Sequence, residues 1–280
     1  MTATSPYYID PPAPPQVQPG IFDVALGPLA FPHPAAVGNG VIYLPDDCDN
    51  TYSLISMECP GITGTKEFAG IETPVSGAPF TVMTSYQCSP VGVDFVEAER
   101  RVRLRMTLRE QRAVEERIWS GSSGALGTIP SLFAGATVLT AAGCPVVAIE
   151  RLEQWLADQG ILGGIIHTRP GMMAHLADHF ELVSPNASPR KFRTHLGTPI
   201  VFGFGYAGTG PTGQATTLTT EWMYATGRVL IWRDEEVKVP SALQTFDRTN
   251  NVAYLLAERV YDVAIECGVA AIQVTRDCTT

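Results

Sequence analysis

No stretch of about 18 consecutive apolar residues occurs, so no segment reads as a helix that crosses a bilayer. The first fifteen residues, MTATSPYYIDPPAPP, have neither a basic start nor an apolar stretch, and no secretion signal is expected. Lysine is scarce: Lys66, Lys191 and Lys238 stand against 16 arginines, and the net charge is −9. An acidic chain is a poor match to free-standing nucleic-acid binding, where a basic surface dominates. The six cysteines, at 48, 59, 88, 144, 267 and 278, never fall as C-x-x-C, which removes the commonest zinc and redox patterns. The sequence therefore predicts a soluble chain made in a cytosol, with free, mostly buried thiols. Only Cys48 and Cys59 invite a bridge by proximity in sequence.

What is present is enough for a large core. Of 280 residues 45% are apolar and 17% charged, which excludes global disorder. Residues 1–47 stand apart, because nine of the 22 prolines fall within the first 34 positions. Proline locks φ and lacks a backbone donor, so this stretch reads as an extended arm. Its anchors are Phe22, Val24, Leu26, Leu29 and Phe31. Ordering about 40 residues costs on the order of 40–80 kcal/mol. These five side chains cannot offset that against each other, and the arm is expected to bind a neighbouring subunit.

Residues 52–95 read as β structure, with alternating runs at Thr51–Ile55 and Phe80–Thr84 and a polar, glycine-punctuated, two-stranded excursion whose middle is Gly61 to Gly77. Residues 96–118 contain no Gly or Pro and are rich in helix formers. Asp94 is placed to cap this helix and Ser120-Gly121 to close it. Seven arginines and five glutamates share it. The plain reading is a solvated helix laced with ordinary ion pairs; the sharper one is a basic face meeting a polyanion.

Beyond the linker 120–128, helices and strands alternate. Pro145 opens a helix that Gly160 ends, Gly163–His167 reads as a buried strand, and Pro170 opens a second helix reaching His179. A strand over 198–202 runs into a glycine-rich loop, and 130–220 reads as one α/β unit. Trp222–Ala225 and Arg228–Arg233, joined by Thr226-Gly227, read as a hairpin.

The chemical motifs are thin. Gly203-Phe204-Gly205-Tyr206-Ala207-Gly208 fits G-x-G-x-x-G, but Thr209-Gly210-Pro211 follows where a helix N-terminus would have to hold pyrophosphate. A flexible loop is the expectation. His175 and His179 sit at i and i+4, with His167 shortly before, a spacing that can chelate zinc. The Glu of H-E-x-x-H is missing, so surface and cap histidines are the plainer reading. Ser120–Gly124 lacks the frame of a nucleophile elbow and reads as a linker. No catalytic residue, cofactor site or metal site is expected.

The order of parts resembles the major capsid protein of tailed bacteriophages, whose fold is shared with encapsulin shells. Three stretches carry the resemblance. Glu110–Gly121 (EQRAVEERIWSG) is similar to the end of the spine helix in capsid proteins of actinobacterial phages. Leu196-Gly197-Thr198-Pro199-Ile200-Val201 is similar to that family's Leu-Gly-x-Pro-Val-Val strand. Tyr224-Ala225-Thr226-Gly227 and Ala257–Asp262 resemble its terminal β return.

The resemblance implies an α+β, tailed-phage capsid fold. Its parts would be an N-terminal arm (1–50), an extended β loop (51–95), and a spine helix and linker of the peripheral domain (96–128). An axial domain (129–220), peripheral strands (221–250) and C-terminal strands returning to the axial domain (251–280) would complete it. The function implied is a non-enzymatic subunit that self-assembles, as hexamers and pentamers, into the icosahedral head enclosing phage DNA. Partners would be the portal, decoration or scaffolding proteins and, non-specifically, packaged DNA, with no membrane. Its place would be the virion, after synthesis in the bacterial host cytoplasm. Lys66 in the excursion matches the lysine that some relatives cross-link to asparagine, for which Asn250 or Asn251 would serve. The alternatives are a connector or tail protein, or a metal-dependent enzyme using His167, His175 and His179.

Overall fold

The computed structural model describes residues 19–45, 48, 73–88, 94–124, 127–177, 184–186, 191–239, 246–247, 249 and 252–278. The first elements are β1 (Leu26–Ala30), α1 (Ala36–Asn39), β2 (Ile42–Tyr43), β3 (Val75–Ser76) and β4 (Phe80–Cys88). The long helix α2 (Phe95–Trp119) is followed by β5 (Ser122–Gly124), β6 (Gly127–Ile129) and β7 (Thr137–Val138). Then come α3 (Pro145–Asp158), β8 (Ile165–Thr168), α4 (Met172–Ala177), β9 (Ser184–Asn186), β10 (Lys191–Arg193) and β11 (Pro199–Phe202). The chain closes with β12 (Thr220–Thr226), β13 (Val229–Arg233), β14 (Phe246–Asp247), β15 (Val252–Ile265) and β16 (Val269–Thr275).

Two sheets organise these elements. The first runs β1-β13-β15-β14, with β4 also paired to the long β15, and α2 packs across β4 and β15. The second runs β7-β16-β12-β8-β11-β10-β9, and α3 packs on β16 and β12. Helix α2 forms where the sequence places it: the Asp94 side chain accepts from the Glu97 amide at 2.7 Å and caps it. Its buried positions Ala98, Val102, Met106, Glu110, Val114 and Ile118 recur every fourth residue, so one stripe faces the first sheet. In α3, Pro145 occupies the first turn, and Ala148, Ile149, Leu152 and Leu156 bury the face toward the second sheet.

The expected hairpin at 222–233 does not form. β12 pairs with β16 and β8 in the second sheet, whereas β13 pairs with β15 and β1 in the first. From Glu221 to Thr226 every residue is buried, the mark of a strand covered on both faces rather than of a half-exposed hairpin arm. The chain changes sheets at Gly227, and β15 changes to β16 beside it, at Glu266 to Gly268. The two crossings are stitched by Glu266 N–H donating to the Arg228 carbonyl at 3.0 Å. A side chain at Gly227 would lie 2.2 Å from the Glu266 carbonyl oxygen, so the crossing admits only glycine there. The sheets thus divide the chain at 227 and near 267, not at 220 and 250.

The arm departs from expectation where it is described; residues 1–18, 46 and 47 lie outside the described residues. Residues 20–45 are held in part by their own chain: Ile21 is fully buried in the α2 core, and β1 extends the first sheet parallel to β13. Phe22 stacks on Tyr261, and Tyr43 packs edge-on to Trp232. Phe22 and Val24 pack against the core of the first sheet, whereas Leu26 and Leu29 stay 47% and 45% exposed; Pro28 is tolerated because β1 is an edge strand. Cys48 is joined to Cys267 in a disulfide, which corrects the expectation of free thiols and the suggested Cys48–Cys59 pairing. Cys144 and Cys278 are outside that disulfide.

Candidate functional site

The richest cluster of polar chemistry lies where the end of α2 meets the glycine loop after β11. His167, on β8, is fully buried, and burial lowers its pKa to about 3, so the ring is neutral. Its two nitrogens lie 2.8 Å from the Tyr206 hydroxyl (Nδ1) and 2.9 Å from the Thr226 Oγ1 (Nε2). The Thr226 hydroxyl donates to the Gly227 carbonyl at 2.8 Å, so it must accept from the histidine. That assigns the proton to Nε2 and leaves Nδ1 accepting from Tyr206, whose own pKa burial pushes upward. The relay Tyr206, His167, Thr226, Gly227 runs from the glycine loop to the corner where the chain changes sheets. Both imidazole nitrogens are committed to it, and a metal ion bound to His167 would break it.

The other two histidines of the zinc-like spacing do not join it: His175 on α4 donates to Asp277 at 2.9 Å, and His179 lies outside the described residues. Lys66, Asn250 and Asn251 also lie outside them. Among the described residues no three His, Cys, Asp or Glu side chains converge as a metal site.

The glycine loop is packed rather than flexible. Gly205 lies flat on α2, where a Cβ would come 2.2 Å from the Arg112 carbonyl oxygen, and its N–H donates to Glu115 at 2.8 Å. Glu115 also accepts from the Ile21 amide at 3.0 Å, so one buried carboxylate ties the segment at Ile21, α2 and the loop. Burial raises its pKa to about 7 despite those amides. Trp119, Phe133, Tyr206 and Tyr224 interlock beside it, with ring centroids 4.4–5.4 Å apart. The Trp119 indole and the Tyr224 hydroxyl both donate to the Thr209 carbonyl.

Two further buried carboxylates brace the first sheet. Glu110 accepts from Arg233 (3.1 Å), Arg259 (2.8 Å) and the Tyr261 hydroxyl (2.5 Å). Asp262 accepts from the Val41 amide at 2.8 Å, and burial raises its pKa. Along the exposed side of α2 the ion-paired reading holds: Glu97 binds Arg100 and Arg101, Glu99 binds Arg103, and Glu116 binds Arg112. Glu110 and Glu115 are therefore not ordinary surface acids. A signal for Glu110 was present, because no arginine stands three or four residues from it while the stripe of core positions runs through it. As chemistry, the cluster offers no exposed nucleophile and no free acid–base pair. It is a rigid joint.

No protein-family model matches the chain, and no curated relative matches it in sequence. Solved structures do match, along almost the whole length. A chain of the capsid of an empty GTA particle superposes with a TM-score of 0.56 at 11% identity, covering 95% of each chain. The native GTA capsid gives 0.57 at 10% identity over 98% of this chain and 97% of that one. A chain of Mycobacterium phage Bobi gives 0.56 at 12% identity over 98% and 96%. The chain has the tailed-phage capsid fold. The joint described above ties α2 to the second sheet.

Proposed function

We propose that the chain is a major capsid protein, a structural subunit that assembles with copies of itself into an icosahedral phage head. The observation that carries this reading is the correspondence of its fold, from end to end, with chains of assembled capsids. The core supports it, since the buried polar groups serve cohesion and not turnover, and the reading assigns no enzymatic activity. The surface supports it too: Leu162, Leu196 and Leu218, at loop tips of the second-sheet block, are 90%, 81% and 92% exposed. Large apolar side chains at tips suit contacts between copies in a closed ring.

On this reading α3, α4 and the second sheet form the axial domain, and α2 with the first sheet forms the peripheral domain. Hexamers and pentamers would build the shell, with portal and decoration or scaffolding proteins as partners. The subunit would be made in the host cytoplasm and reside in the virion. Packaged DNA would meet α2 only weakly, because most of its arginines are already engaged by glutamates or by backbone carbonyls such as those of Ser85 and Pro130. Sedimentation velocity on the purified full chain tests the reading. Species of capsomer size and above are expected, and a monomer that persists at every concentration, also with co-expressed virion proteins, would overturn it.

A further inference from the structure

The two margins of the first sheet differ in what they leave exposed. On one side of β15 lie β13 and the segment after it: Glu258 exchanges both backbone hydrogen bonds with Lys238, and the Val260 carbonyl accepts from Asp234 at 2.9 Å. Antiparallel pairing alternates, so Leu255, Ala257, Arg259 and Tyr261 turn the other way, toward Tyr86, Thr84, Val82 and Phe80 of β4. On β4, Thr81, Met83, Ser85 and Gln87 therefore point their N–H and C=O groups outward, and no backbone partner meets them among the described residues. Arg105 of α2 donates to the Ser85 carbonyl at 2.8 Å, which sets one flank of the helix beside this bare edge. The other flank is marked by Arg103, which donates to the Val237 carbonyl at 2.9 Å.

Between the β4 edge and α2 runs a groove of about 550 Å³, lined by Met83, Thr84, Met106, Arg109, Arg112 and Glu116. Arg112 and Glu116 pair with each other at 3.0 Å, whereas Arg109 is exposed and has no hydrogen bond or ion pair among the described residues. With Arg105 on the same flank, the groove carries an excess of positive charge. On the opposite margin, Asp234-Glu235-Glu236 is the only run of three acids in the sequence. Asp234 is paired with Lys238 at 3.1 Å, but Glu235 and Glu236 are exposed and have no ion-pair partner among the described residues. Opposite charges on opposite margins of one sheet do not meet within a copy. They meet between copies placed head to tail.

We propose that the groove between β4 and α2 receives the acidic turn Asp234–Glu236 of a second copy, with Arg109 and Arg112 facing Glu235 and Glu236. This contact rests on the self-assembly proposed above and gives it a partner surface. It is heterologous: every copy offers both groove and turn, so the contact propagates until a rotation closes it. The outward amides of Thr81 and Met83 are further donors for the incoming carboxylates. A docked copy also covers an edge that would otherwise template indiscriminate strand pairing. Exposed ion pairs are weak singly, and here they set the orientation and the salt dependence of docking.

The test is a charge swap in the full chain, read by sedimentation velocity. One variant carries Arg109→Glu with Arg112→Glu, another Glu235→Lys with Glu236→Lys, and a last one all of these. The side chains concerned are exposed, so each variant should keep the wild-type thermal transition. Either double variant sets like charges against each other and should need at least about tenfold more protein than wild type to associate. The combined variant restores opposite charges and should return to within about threefold of wild type. An equal mixture of the double variants should recover as well, with the copies alternating. Salt at about 0.5 M should weaken wild type and the combined variant alike. Shells that form equally well from wild type and both double variants would overturn the dock and leave the capsid reading standing. A defect confined to the arginine variant would overturn it in favour of packaged nucleic acid as the occupant, and a combined variant no better than the double ones would overturn it too. Open chains of wild type that obey the same swap would support the dock and contradict the closed shell instead.

Discussion

The core under α3 and the core under α2 solve the same packing problem with different materials. Beneath α3 the buried set is mostly aliphatic, with Phe202 its one buried ring: Ile149, Leu152, Leu156, Ile166, Leu176, Ile200, Ile272 and Val274 lead it, filled out by alanine and methionine. Beneath α2, aromatic rings share the interior with Glu110, Glu115, Arg117 and Asp262. The first core is held by close packing, which tolerates any apolar neighbour of the right volume. The second depends on particular partners, and those partners come from the arm, from β13, from β15 and from the glycine loop. Ionic groups in a core add little net stability, but they penalise every arrangement in which a partner is missing. The α2 core is thus built to register distant segments of the chain against α2.

The sharpest way to break this contrast is Glu110→Ala. It strands Arg233, Arg259 and the Tyr261 hydroxyl, and should cost about 4 kcal/mol in urea unfolding of the subunit. A loss below about 1 kcal/mol would mean that the ionic core is ornamental. Leu152→Ala, fully buried in the aliphatic core, should cost about 3 kcal/mol through its cavity. That cost should be the same at pH 5 and pH 8, because the buried cluster that holds Leu152 is apolar.

A smaller effect separates the cores by pH. The pKa of Glu115 is raised in the folded state, from 4.5 to about 7, so its contribution is full below pH 4.5 and declines as pH rises to about 7. His167, lowered from 6.5 to about 3, contributes fully above pH 6.5 and loses that contribution as pH falls. Between pH 4.5 and 6.5 the two slopes oppose each other, and wild-type stability should be nearly flat. Glu115→Gln removes one slope, so its stability should rise by about 2–3 kcal/mol across that window. A variant as flat as wild type would contradict the assignment of Glu115. Smallest of all, Arg112→Ala removes an exposed pair with Glu116 and should change stability by less than about 0.5 kcal/mol.

Legibility in the sequence follows the same division. Helix α2 was readable to within a residue at each end, because Asp94 caps it and no Gly or Pro interrupts it. Helix α3 was readable from Pro145 and Gly160. Both are local signals. The capsid architecture was legible from the order of elements. The false hairpin at 222–233 shows the opposite case: a Thr-Gly turn between apolar runs is a local cue, yet each strand finds its partners far from it in the chain. Its uninterrupted burial from Glu221 to Thr226 corresponds to a sequence run, WMYA, with no polar alternation, which argued for a central strand. The Cys48–Cys267 bond spans 219 positions, and the carboxylate ties of Glu115 to Ile21 and Asp262 to Val41 span 94 and 221. Nothing in the neighbourhood of such residues announces a partner so far along the chain. For the arm, the sequence showed that a surface was required but not whose.

The central claim is that this chain is a shell subunit whose arm segment 20–45 belongs to its own first sheet. Cryo-electron microscopy of particles formed by the full chain tests it most directly. The account predicts closed icosahedral shells in which β1 lies beside β13 of the same copy and the loop tips bearing Leu162, Leu196 and Leu218 meet other copies. Particles that are open rings or single subunits, or shells in which residues 20–45 cross onto a neighbour's sheet, would contradict it.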